Sequence, residues 1–137
     1  MKELLRFEIT GTIPSKKNEH EIRVDYKKLT KRGRPKMWIA PSDLYQSWER
    51  GHAAELQDMF PEFRKLKGPL AIDYIFHPAT RHPFDASNKM ESINDMLVES
   101  EILYDDNIFI LVDLHPYLGE MSTTGELMVE VIIYDKS

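Results

Sequence analysis

Apolar and polar residues alternate near the start of the chain, where Phe7, Ile9, Gly11 and Ile13 interleave with Glu8, Thr10 and Thr12. That period of two predicts a strand with one buried face, ended by Pro14. Ile22, Val24 and Tyr26 alternate again, and Gly33 and Pro35 mark a turn before the short apolar piece Met37–Ala40, so a hairpin with a charged tip is expected. After Pro41, Ser42 reads as a helix N-cap. The helix is predicted from Asp43 to about Met59, with Leu44, Trp48, Leu56 and Met59 near its apolar face, Gly51 as a tolerated weak point and Pro61 beyond its end. Leu70, Ile72, Tyr74 and Phe76 alternate with Ala71, Asp73 and Ile75 in a strand predicted to be buried on much of both faces. A second helix is expected from Ser87 or Asn88 to near Glu99, with Met90, Ile93, Leu97 and Val98 as its stripe. Two more apolar strands, Ile108–Leu114 and Leu127–Tyr134, flank a turn at Gly119–Gly125. The order β-β-β-α-β-α-β-β predicts one α+β domain over residues 1–137, its two principal helices packed on a mixed sheet.

Composition narrows the chemistry. The 137 residues include no cysteine, which excludes a disulfide scaffold, a thiol nucleophile and thiolate zinc or iron–sulfur sites. No apolar run approaches the roughly 18 residues of a membrane span, and the start mixes charge with apolar residues. A soluble, cytoplasmic chain with no membrane partner is expected. No phosphate-binding glycine loop points to ATP use.

The formal net charge of -5 hides an uneven distribution. Between Pro14 and Trp38 lie nine basic residues, Lys16, Lys17, Arg23, Lys27, Lys28, Lys31, Arg32, Arg34 and Lys36, against the three acids Glu19, Glu21 and Asp25. Between Asp85 and Asp106 the seven acids Asp85, Glu91, Asp95, Glu99, Glu101, Asp105 and Asp106 face Lys89 alone. Either run by itself reads as a solvated face. Together they suit an enzyme that cuts a polyanion, with cations to hold phosphates and carboxylates to hold a metal.

Helical spacing sharpens the acidic run. Positions four apart share a face, so Ser87, Glu91 and Asp95 form one stripe, with Asp85 just ahead of the first turn. Asp105 and Asp106, at the entry to the following strand, are placed to meet it. A group of carboxylate oxygens suits Mg2+ or Mn2+ and serves zinc poorly. Such an ion would polarise a phosphodiester and activate the attacking water. Acids near a helix start also stabilise its dipole without further function, and that alternative stays open.

Asp85, Asn88, Asp95, Leu97, Asp105 and Asp106, with the N-terminal Pro14-Ser15-Lys16-Lys17-Asn18 turn, resemble the RusA-type Holliday junction resolvases of prophages and bacteria. The family pattern is Asp-x-Asp-Asn-x-x-Lys-x-x-x-Asp-x-Leu followed by paired aspartates, and the spacing from Asp85 to Asp106 fits it without a gap. The resemblance spans nearly the whole chain. It implies a Mg2+- or Mn2+-dependent endonuclease acting in DNA recombination and repair, a homodimer that resolves four-way DNA junctions by paired nicks. Two positions depart from the pattern: Ser87 replaces an aspartate and Glu91 replaces the lysine. Because Glu91 lies four residues after Ser87 on the same face, the carboxylate count is retained, as in a similar subgroup of the family.

On this resemblance Asp85, Glu91 and Asp106 form the metal set, with Asp105 beside them. Asn88 and Asp95 support it by hydrogen bonds. The missing cation falls to Lys16 or Lys17, since Lys89 lies roughly 200 degrees round the helix from Glu91. DNA-binding residues are Lys16, Lys17, Asn18, Lys27, Lys28, Lys31, Arg32, Arg34 and Lys36. Two rival readings remain: a DNA-binding or assembly protein that keeps the fold without catalysis, and a metal-binding domain unrelated to DNA. His77, His82 and His115 each precede a proline, which fits extended loop structure better than catalysis. Tyr26 and Trp38 are expected mainly to pack in a core, with stacking on bases as the alternative.

Overall fold

The computed structural model describes residues 1–15 and 20–137, with backbone only at residues 20–23 and 38–41. Its elements are β1 (Lys2–Thr10), β2 (His20–Leu29), β3 (Pro35–Pro41), α1 (Asp43–Met59), β4 (Leu70–His77), α2 (Ala86–Glu99), β5 (Leu111–Leu118) and β6 (Met128–Asp135). This is the α+β order expected from the residue pattern. A four-stranded mixed sheet runs β1-β6-β4-β5, while β2 and β3 form a separate two-stranded ribbon. Strand β6 is antiparallel to both β1 and β4, and β5 is parallel to β4. A parallel neighbour requires a crossover, and α2 supplies it.

The two helices pack on each other and share one core with the sheet. Leu56 of α1 and Ile93, Met96 and Leu97 of α2 meet Phe7, Ile9, Ile72, Tyr74, Val129 and Val131. β4 is central, so its side chains are buried on much of both faces, as its near-continuous apolar run predicts. Gly11, at φ +96, takes the backbone out of β1 one residue after the strand ends, and its N–H donates to Leu127 O at 2.7 Å. No described helix is long and apolar enough to cross a membrane.

Three expectations need correction. On α1 the buried positions are Tyr45, Ala53 and Leu56, whereas Leu44 and Met59 are exposed. Tyr45 sets the buried face at the start of the helix, and Leu44, about 100 degrees round from it, points away; Met59 is the last helical residue. The fifth strand begins at Leu111 and continues to Leu118; Ile108 and Phe109 precede it, 75% and 84% exposed. The turn around Asn107, whose carbonyl accepts from Ile110 and Leu111, delays entry into the sheet. Finally, α2 begins at Ala86, one residue ahead of the expected start, with Asp85 as its cap.

Candidate functional site

At the start of α2, Asp85 Oδ1 accepts the Ser87 N–H at 2.9 Å and the Ser87 hydroxyl at 2.6 Å. This satisfies one of the amide donors left unpaired in a first helical turn. Ser87, standing where the resembled pattern has an acid, is thus a hydrogen-bond donor to the neighbouring carboxylate. Asn88 is half-buried, and its carbonyl accepts the Ser92 hydroxyl at 3.2 Å. That hydroxyl also donates to Pro14 O at 2.7 Å, tying α2 to the segment that follows β1. Glu91 is exposed on the outer face of α2.

The acids that come together lie further along the helix. Asp106 is within electrostatic reach of Asp95 and Asp105; burial first, then those two negative charges, push its carboxyl above the usual range. Asp105 is held below that range, because its oxygens accept the Asp106 N–H at 2.8 Å and the Asn107 amide at 3.1 Å. Beneath this group Tyr74 donates to the buried Asn94, and burial raises the Tyr74 phenol with the charge of Asp106 adding to the effect. Tyr45, 1% exposed, donates to Glu49 at 2.8 Å and makes a longer contact to Asp95 at 3.5 Å. Burial, then Glu49, raises its phenol. α1 therefore braces the acidic side of α2 through one buried hydroxyl.

Tyr45, Glu49, Tyr74 and Asn94 were not among the expected site residues. The Tyr45–Glu49 pair was legible as an i, i+4 contact on a helix. The Tyr45–Asp95 contact joins residues 50 apart, and no local pattern signals it. Among the described residues, no three histidine, aspartate or glutamate side chains gather closely enough to hold a metal ion. The structure thus draws Asp106 to Asp95 and Asp105 and does not assemble Asp85, Glu91 and Asp106 as a coordination group.

Lys89 turns to the other side of α2, as its position round the helix predicts. Its ammonium donates to Ile13 O at 3.2 Å and lies 5.3 Å from the Phe84 ring centre, and burial lowers its pKa. Lys16, Lys17 and Asn18 fall outside the described residues, and the side chain of Trp38 is likewise outside them. Lys27, Lys28, Lys31, Arg32, Arg34 and Lys36 are all exposed on the β2–β3 ribbon. Tyr26 is 77% exposed there, so packing in a core does not account for it.

His77 is fixed between Glu130 and the Glu120 carbonyl, with its Nε2 and Nδ1 each 2.8 Å from an acceptor oxygen. Only the protonated ring donates from both nitrogens, and the Glu130 bond raises its pKa. A cleft of about 660 Å³, walled by Phe76, Phe84, Ala86, Tyr117, Leu118 and Met121, opens near the start of α2. None of the expected metal-binding carboxylates lines it. No protein-family model and no curated protein matches the chain.

Proposed function

We propose that the protein is a divalent-metal-dependent endonuclease of the RusA type that cuts branched DNA, the four-way junction in particular. The observation that carries this reading is the separation of charge: an acidic chain presents a cationic ribbon in solvent and, elsewhere, the acids Asp95, Asp105 and Asp106, with the buried Tyr45 against Asp95. A polyanion bound by the ribbon would bring phosphates toward carboxylates that could not hold them without a cation between. Asp106 and Asp95 would hold Mg2+ or Mn2+, with Asp105 beside them, while Asp85 and Glu91, which are not gathered with Asp106, lie outside this set. When bound, such an ion polarises a phosphodiester and offsets the charge that develops on it. Tyr45 would fix the Asp95 carboxylate, and Asp105, oriented by Asn107, would fix the turn that carries Asp106.

A homodimer belongs to the same proposal. A junction with two equivalent strands to cut matches a two-fold dimer with two sites. Ile108 and Phe109, just before β5, and Leu118 at its end, each at least 75% exposed, offer apolar area for a second copy. A cytoplasmic setting is also part of this reading.

The alternative is a DNA-binding protein without catalysis. It is favoured by Ser87, whose hydroxyl occupies Asp85 where the resembled pattern would add an acid. Incubation with a four-way junction and a matched linear duplex, with and without Mg2+ or Mn2+, separates the two. Metal-dependent nicking confined to the junction supports the enzyme; binding with no nicking under any metal condition supports the alternative.

A further inference from the structure

The β2–β3 ribbon contains an irregularity with the form of a contact point. Between Asp25 and Leu29 the β2 strand advances four residues, while its partner moves only from Lys36 to Pro35. Tyr26, Lys27 and Lys28 are left without ladder partners, as in an enlarged β-bulge, a device that re-aims side chains out of a sheet. The bulge is fixed from within, because the Asp25 carboxylate accepts the Lys27 N–H at 2.9 Å. Beyond it, the tip is closed by Thr30 N–H to Arg34 O at 2.8 Å and Gly33 N–H to Thr30 O at 2.9 Å.

A single exposed aromatic residue is ordinary on a protein surface. Tyr26 is less ordinary, because it lies in the bulge with a lysine at each of the next two positions. From Val24 to Met37 the cations Lys27, Lys28, Lys31, Arg32, Arg34 and Lys36 outweigh the lone acid Asp25. That is a net +5 in a chain whose total is -5, so the remainder carries -10. A polyanion is repelled by the rest of the molecule and drawn to this ribbon.

We propose that the Tyr26–Lys27–Lys28 bulge is a DNA contact in which the Tyr26 ring stacks on a base exposed at a branch point while the two lysines hold flanking phosphates. The inference rests on the DNA reading above and names the structural feature recognised. In an uninterrupted duplex both faces of each internal base are covered by its neighbours. A ring therefore finds an open face only where the stack is broken, and base–aromatic stacking tolerates any base. The lysines act as point charges and carry the dependence on salt.

The test uses the full chain in metal-free buffer, a four-way junction carrying 2-aminopurine at the branch, and a matched linear duplex. Tyr26→Ala is expected to lose about tenfold in junction affinity, roughly 1.4 kcal/mol, and less than about twofold on the duplex. It should also abolish the fluorescence change seen with the unsubstituted protein and leave the salt slope unaltered. Tyr26→Trp should restore both affinity and signal. Replacing Lys27 and Lys28 together by Ala should lower the salt slope by about two on both DNAs. Circular dichroism and a melting curve establish that each variant is folded. Unchanged junction affinity and fluorescence in Tyr26→Ala, or equal losses on junction and duplex, would overturn the proposal while leaving the DNA reading in place. If the unsubstituted protein binds neither DNA, the DNA reading fails and takes this inference with it.

Discussion

Replacing Asp106 by Asn should stabilise the fold while removing activity. The carboxylate is partly buried and stands near Asp95 and Asp105, which is why its pKa is raised. A carboxyl whose folded pKa exceeds its unfolded value binds a proton more readily in the native state. Its ionisation therefore opposes folding, by an amount that is absent below the unfolded value near 3.8 and fully present above the raised native pKa. Because the residue is largely solvent-accessible, the repulsion between like charges is of surface size, about 0.3 to 1 kcal/mol. With an unfolding entropy of about 2.1 cal/mol/K per residue, 137 residues make a gain of that size worth about 1 to 3 °C in Tm. Thermal melts at neutral pH should show this increase, and it should shrink to nothing as the pH falls below about 3.8. In parallel, metal-dependent junction cutting should fall by about a hundredfold or more, with junction binding retained in metal-free buffer. A variant that is less stable at neutral pH would refute the electrostatic account. One that cuts at the unsubstituted rate would remove Asp106 from the metal site.

Glu91→Gln and Asp85→Asn should each leave metal-dependent cutting within a few-fold of the unsubstituted rate, because neither is gathered with Asp106; a loss on the order of a hundredfold in single-turnover assays would return that residue to the metal set. Joint replacement of Lys31, Arg32 and Arg34 by Ala should weaken DNA binding and reduce the salt slope by about three, and an unaltered slope in titrations at several salt concentrations would assign these residues elsewhere. The raised pKa of His77 means that its link to Glu130 adds stability fully present below the unfolded value near 6.5 and lost as pH rises through the native pKa. His77→Gln should accordingly lower the urea midpoint more at about pH 5.5 than at about pH 8, and equal losses at both would contradict a charged pair. Leu97→Ala, at a position 0% exposed, should cost about 2 to 5 kcal/mol in denaturant unfolding, and a loss below about 1 kcal/mol would mean that the core closes over the gap.

Local periodicity determined the element order, because each helix and strand must present its apolar residues at its own repeat. The hairpin and its basic tip, the Ser42 cap and the span of α1 were all readable in this way. The edges of α2 and β5 were less so. Asp85 takes the cap position only once the chain from β4 has turned to enter the helix, and β5 begins only where its backbone reaches β4. The acidic run was visible in the sequence, and so was the basic run that opposes it.

Which acids meet was a tertiary outcome. Asp95 and Asp106 are eleven positions apart in sequence and approach through the turn after α2, while Tyr45 reaches Asp95 across the contact between the two helices. Helical spacing relates residues on one element, and the distance between elements depends on the side chains packed between them. The exposure of Tyr26 had the same origin. Alternation marks a residue as fit for a half-buried strand, and whether anything covers that strand is decided by where the sheet ends and the ribbon leaves it.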